Sequence, residues 1–168
     1  MELISRMMDG SISYDASPGL EPSSSGPGVS QDDRIERLER VPLFAGCSRR
    51  QLKAIARITD VFDAPPGTIL TRSGDPGNEF FLIVEGSARV EVSAKKSSRL
   101  RAGDFFGEMS LLDGEPRSAT VIADTLIRLL VINRKNFTRL LGDVPGMMQN
   151  LLVVLSRRVR QAERALTS

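Results

Sequence analysis

The sequence predicts a mainly β domain, an antiparallel sandwich or roll of about eight short strands with helices at both ends. Three observations predict it. Between Asp60 and Asn133 the apolar residues fall into short, β-branched segments. Turn-forming pairs and quartets separate those segments at close intervals. On either side of this stretch the apolar residues change to a helical period.

The N-terminal stretch SPGLEPSSSGPGVSQDD is rich in Ser, Pro and Gly and has almost nothing to bury. Residues 1–31 are therefore expected to form a disordered or linker-like tail, with Met1–Met8 a mobile terminus. The folded domain is expected over residues 32–168. In DDRIERLERVPLF, Ile35 and Leu38 share one helical face, and Asp32 and Asp33 sit where the helix dipole favours anions. Ser48-Arg49-Arg50-Gln51 reads as a capping box, and Leu52, Ile55 and Ala56 continue as a helical stripe.

Strand-like segments then follow around Val61, Ile69, Phe81–Val84, Ala88–Val92, Arg99–Leu100, Phe105-Phe106, Ala119–Ile122 and Leu126–Val131. The turns between them include Pro65-Pro66-Gly67, Gly74-Asp75-Pro76-Gly77, Glu85-Gly86, Gly103-Asp104 and Asp113-Gly114. The alternation Arg89-Val90-Glu91-Val92 fits a half-buried strand.

Asn133 is a good N-cap for a helix that stops near Gly142, and Pro145 restarts helix in a first turn. The last helix is expected from about Val144 to Leu166. Met148, Leu152, Leu155, Val159, Ala162 and Leu166 recur at alternating steps of four and three, the pattern of a coiled-coil seam. Met147, Leu151 and Val154 form a second apolar line, suited to packing on the chain's own barrel. Two apolar faces on one helix point to a partner on one of them, and a homodimer through this helix is one expectation. A helix buried on both sides within one chain is the other.

Composition narrows the function. Among 168 residues there is one cysteine, Cys47, and no histidine, which excludes an internal disulfide and any Ser-His-Asp or Cys-His site. Cys47 precedes the capping box and reads as a small buried residue. A net charge of +2 is too balanced to argue for nucleic acid. The longest apolar runs are far shorter than the roughly 20 residues that cross a bilayer. A cytoplasmic protein with no membrane contact and no enzymatic activity is expected.

Residues 107–120, GEMSLLDGEPRSAT, carry the chemistry. They lie between a strand ending near Phe105-Phe106 and one expected to begin at Ser118, with a single helical turn over Met109–Leu112. A helix start exposes unpaired N–H groups to an anion, and Gly107 permits close backbone approach. Arg117 adds a permanent charge with forked donors suited to phosphate oxygens. Glu108, when ionised, can only accept, so its natural partner is a hydroxyl or an amine on the same ligand. An anion beside a hydroxyl describes a sugar phosphate. Between themselves, Glu108 and Arg117 would pair only weakly.

The run Phe106-Gly107-Glu108-Met109-Ser110-Leu111-Leu112, followed by Pro116-Arg117-Ser118-Ala119-Thr120-Val121, resembles the phosphate-binding cassette of cyclic-nucleotide-binding domains. The resemblance covers about residues 40–166 and includes Pro65-Pro66-Gly67-Thr68-Ile69-Leu70, Gly74-Asp75 and Phe80–Val90. It implies an eight-stranded β-roll with flanking helices. It also implies that Glu108 binds the ribose 2′-hydroxyl and Arg117 an exocyclic phosphate oxygen. Backbone amides around Gly107, Ser110 and Ser118 would complete the cradle, and Val90, Val92 and Leu100 would face the base. Ser118 stands where Ala in the family goes with cAMP and Thr favours cGMP; the preference expected here is cAMP. No further cofactor is implied.

The terminal helix is similar to the dimer helix of catabolite-activator-type proteins. In that alignment the polar pair that reaches adenine falls on Ala162 and Glu163, and Ala162 has no polar side chain to offer. Arg158 is the expected helix-borne contact, while Arg157, Arg160 and Arg164 read as a solvated basic face. No recognition helix for DNA follows, so direct DNA binding is not expected. Two function classes stand: a cyclic-nucleotide receptor signalling through its terminal helix, or a degenerate β-roll scaffold or dimerisation module that binds no nucleotide. Glu108 and Arg117 favour the receptor, since a scaffold needs neither.

Overall fold

The computed structural model describes residues 21–22, 31–93 and 96–167. Most of the expected tail, Met1–Met8 included, lies outside the described residues. Its Glu21–Pro22 form a short strand, β1, paired antiparallel with the next strand along one sheet edge.

Two helices lead in. Helix α1 spans Gln31–Glu39, and Ile35 and Leu38 are its buried face. A 3₁₀ turn at Pro42–Phe44 follows, then helix α2 at Arg49–Arg57. The capping box is formed: Gln51 N donates to Ser48 Oγ, and Ser48 N donates to Gln51 Oε1. It satisfies two of the N–H groups that a helix start leaves unpaired.

Eight further strands follow: β2 (Asp60–Ala64), β3 (Ile69–Thr71), β4 (Glu79–Glu85), β5 (Ser87–Ser93), β6 (Lys96–Arg101), β7 (Phe105–Phe106), β8 (Thr120–Ala123) and β9 (Ile127–Asn133). They make two antiparallel sheets, ordered β1-β2-β9-β4-β7 and β3-β8-β5-β6. The expected eight-stranded roll is therefore present, with β1 added at its edge. Strand β8 begins at Thr120 rather than at Ser118. The reason is local: Arg117 N donates to Asp75 O and its carbonyl accepts from Gly74 N, both at 2.8 Å, which ties it to the preceding turn.

Strand β4 is buried on both faces, which explains its continuous apolar run. Phe81 and Ile83 point into the roll with Phe106, Val121 and Leu129. Phe80 and Leu82 point to the opposite side, where Phe105 and the helices form a second core. Phe80 lies 4.8 Å from Phe137, and Phe81 lies 4.8 Å from Phe106, both stacked.

Between β7 and β8 lies helix α3 (Glu108–Asp113), and after β9 come α4 (Arg134–Asp143) and α5 (Pro145–Thr167). Asn133 caps α4 by accepting from Asn136 N at 2.8 Å. Met147 and Leu151 anchor α5 in the helical core, with Val154 and Leu155 half-buried against it. Asn150 fixes the helix further: its Nδ2 donates to the carbonyls of Leu43 and Ala45, each at 3.0 Å. Met148, Leu152, Val159 and Leu166 remain exposed. The heptad line is thus split, because Leu155 turns to the chain's own core. Cys47 is half-buried against that core, and burial pushes its thiol pKa up. Among the described residues, no helix is long and apolar enough to cross a membrane.

Candidate ligand-binding site

One cavity of about 1130 Å³ opens between the roll and α5. Its floor is residues 105–110 with Arg117, Ser118 and Ala119; Val90 and Leu100 form one wall, and α5 forms the other. Phe106, Gly107, Glu108, Met109 and Ser110 line it together with Arg158. Every residue that the sequence singles out thus meets there except Val92, whose side chain is outside what the structure describes.

Gly107 ends β7 in a left-handed conformation, φ 88°, and begins α3. A side chain there would also collide, since a Cβ would lie 2.8 Å from Arg117 Nη1 and from the Glu79 carbonyl. Gly77 is needed for space alone: its Cβ would sit 2.5 Å from Arg117 Nε and 2.7 Å from Ser110 Cβ. The two glycines let the backbone close around the guanidinium.

Arg117 is 4% exposed and turned inward. Its Nη1 donates to Gly107 O at 2.8 Å, and its Nη2 donates to Glu79 O at 2.9 Å and to Glu79 Oε2 at 3.2 Å. Its Nε is the one buried side-chain nitrogen or oxygen, among the described residues, without a hydrogen-bond partner. Burial lowers the Arg117 pKa from its ordinary value, and the Glu79 carboxylate opposes that fall. Arg134, at the start of α4, donates to Gly77 O at 2.9 Å and to Ser110 O at 3.2 Å. It clamps the two segments that sandwich Arg117.

Glu108 is 2% exposed and does not pair with Arg117. Its partner is Arg158 of α5, whose Nη1 donates to Glu108 Oε1 at 2.9 Å. The Arg158 Nη2 donates to Phe105 O, and its guanidinium lies 4.6 Å from the Phe105 ring centre. Burial pushes the Glu108 carboxyl above its ordinary value, with the nearby Arg158 charge the largest opposing influence. The expected weak pairing of Glu108 with Arg117 is therefore corrected: each takes a different ion partner. The physical reason is direction. Arg117 points into the roll towards β4, whereas Glu108 faces the helix.

Three residues of this arrangement were not singled out from sequence: Glu79, Arg134 and Gln161, the last lining the cavity from α5. Glu79 had a signal. It opens the strand EFFLIVE, apolar from Phe80 to Val84, and a carboxylate buried at that end needs a cationic partner. Arg134 and Gln161 carry none, for each looks like an ordinary exposed helix residue.

Comparison with known proteins agrees with this geometry. The family described as "Cyclic nucleotide-binding domain" matches residues 61–143. The chain is similar to the cAMP-dependent protein kinase regulatory subunit of Emericella nidulans, 38% identical over 117 residues, which are 67% of this chain and 28% of that protein. It is also similar to a cyclic nucleotide-gated potassium channel of Mesorhizobium japonicum, 41% identical over 105 residues, 62% of this chain and 29% of the channel. The chain thus spans less than a third of the length of these relatives. Among solved structures, a cyclic nucleotide-binding domain from Methylobacillus flagellatus superposes with a TM-score of 0.71 at 26% identity, covering 89% of each chain. With the cassette, the two-sheet roll and the flanking helices in place, the chain belongs to the cyclic nucleotide-binding domain family.

Proposed function

We propose that this chain is a cytoplasmic receptor domain for a cyclic nucleotide, cAMP in preference to cGMP, that reports ligand through its C-terminal helix. The observation that carries this reading is the composition of one cavity. It joins a buried carboxylate, a buried guanidinium with an uncommitted N–H, and an apolar wall of Val90 and Leu100. Glu108 is suited to accept a hydrogen bond from a ribose hydroxyl. Arg117 is suited to a phosphate oxygen, which would engage the Nε donor that lacks a partner. The small Ser118 and Ala119 leave room beside it.

The helix enters through Arg158. A ribose hydroxyl that engages Glu108 competes with the Arg158 ion pair, so ligand and helix position bias one another. The preference for cAMP has support in the fungal relative, a cAMP-dependent protein kinase regulatory subunit. The exposed line of Met148, Leu152, Val159 and Leu166 is the surface on which a homodimer would form, and sedimentation equilibrium tests it.

Titration of the protein with cAMP and cGMP, read by calorimetry and by thermal shift, tests the receptor reading. Saturable heat and a rise in Tm are expected, larger for cAMP. Arg117→Ala is expected to weaken binding more than Glu108→Gln, since a desolvated charged partner is worth about 2–5 kcal/mol against about 1.5–3 kcal/mol for a hydrogen bond to a charged group. Arg117→Lys serves as a control that keeps a cation beside Glu79. No stabilisation by either nucleotide at millimolar concentration would favour the scaffold.

A further inference from the structure

We propose that Met109 is an oxidation site of the cavity, and that a peroxide which converts its thioether to the sulfoxide weakens ligand binding at the cassette. The inference rests on the cavity being a cyclic-nucleotide site and adds a means of regulating it. Helix α3 buries Glu108, Ser110 and Leu111 and leaves Met109 outward, 49% exposed, where it lines the cavity. Its Sδ accepts a hydrogen bond from Ser118 Oγ at 3.6 Å, which links α3 to the segment after Arg117. Ser118 lines the same cavity. The Met109 sulfur thus belongs to a side chain open to solvent and touches the binding surface directly.

The other described methionines supply the contrast. Met147 is sealed in the helical core. Met148, 45% exposed, is as open as Met109 but lies outside the cavity lining. A small oxidant therefore reaches Met109 and Met148 and not Met147, and only at Met109 does the added oxygen fall within the cavity. The thiol is a poorer target. Cys47 is half-buried and away from the cavity, and burial raises its pKa, which disfavours the reactive thiolate.

In the step itself, the sulfur lone pair attacks one oxygen of hydrogen peroxide. An S–O bond forms as the O–O bond breaks, and the departing hydroxide takes the proton of the transferred oxygen and leaves as water. Sulfur gives up two electrons and the peroxide accepts them. The product replaces a weak acceptor with a strong one on a side chain that has become polar. The sulfoxide oxygen takes the Ser118 hydroxyl more firmly than sulfur does. It withdraws that donor from an anionic ligand and adds partial negative charge to the cavity.

The test treats the full chain with hydrogen peroxide and locates the modified methionines by peptide mass mapping. Binding of cAMP and of cGMP is measured by calorimetry before and after treatment, in the wild type and in Met109→Leu. Met109 and Met148 are expected to gain one oxygen each and Met147 none. The wild-type Kd is expected to rise about fivefold, the scale of one hydrogen bond, and to return after methionine sulfoxide reductases act. With no sulfur at position 109, the Kd of the treated variant is expected to stay within about twofold of its own value before treatment. Met109 left unmodified while Met148 is oxidised overturns the assignment. So does an unchanged wild-type Kd with Met109 converted, or an equal rise in Met109→Leu; each of these leaves the receptor reading intact. Failure of the untreated wild-type chain to bind either nucleotide overturns the receptor reading and this inference with it.

Discussion

Two arginine–carboxylate pairs hold the cavity, at nearly the same distance and in different surroundings. Arg117 and Glu79 meet at 3.2 Å with both side chains 3% exposed. Arg158 and Glu108 meet at 2.9 Å, but only the carboxylate is sealed, at 3% against 31% for the arginine. The first pair lies within the roll and joins β4 to the segment before β8. The second joins the roll to α5. Burying two charges costs several kcal/mol each, and their attraction offsets it only when further hydrogen bonds satisfy them. Arg117 gains those from the carbonyls of Gly107 and Glu79. Arg158 needs less, because water still reaches it. The lesson is that distance alone does not rank ion pairs: the sealed pair seats Arg117 against β4, while the half-open pair joins the roll to α5 with its arginine still reached by water.

Three substitutions test that contrast, in descending order of effect. Glu79→Ala leaves Arg117 buried without its acid and is expected to cost about 3–5 kcal/mol in urea unfolding. A loss under about 1 kcal/mol, no more than a surface pair is worth, would break the contrast. Gly77→Ala puts a methyl group 2.5 Å from Arg117 Nε and 2.7 Å from Ser110 Cβ. Overpacking of this kind is expected to cost about 1–3 kcal/mol, with weaker cyclic-nucleotide binding as the guanidinium is displaced.

Arg158→Gln is expected to change stability near neutral pH by no more than about 1 kcal/mol. Its clearer effect is on proton binding. Burial already raises the Glu108 pKa, and Arg158 is the strongest influence holding it down. Between the ordinary carboxylate value and the raised one, the folded state binds more protons than the unfolded state. The Glu108 contribution to stability therefore falls as pH rises through that window and is flat above it. Removing Arg158 carries the upper limit of the window higher. A carboxyl carbon NMR titration of Glu108 in both proteins checks this, and coincident curves would show that Arg158 does not act on it.

Much of this was legible from local pattern. Ser48 and Gln51 close their capping box because the interaction spans three residues and needs no tertiary partner. Asn133 caps α4 for the same reason. Of the two apolar lines on α5, Met147 and Leu151 are buried as expected, while in the other line Leu155 belongs partly to the core and Ala162 and Leu166 line the cavity. The cassette placed Glu108 and Arg117 at one cavity. What escaped were the long-range partners. Glu79 lies 38 positions from Arg117 and Arg158 lies 50 from Glu108, and no periodicity reports such a pairing.

The sequence by itself determined an antiparallel sandwich or roll with helices at both ends, and the helix boundaries to within a residue or two. These follow from apolar period, turn residues and caps, all of which act over a few positions. Only the tertiary structure decided which acid each arginine meets and which face of α5 covers the cavity. Those outcomes depend on how β4, α3 and α5 converge, and an ion pair is fixed by where two backbones bring their side chains, not by the spacing of the residues along the chain.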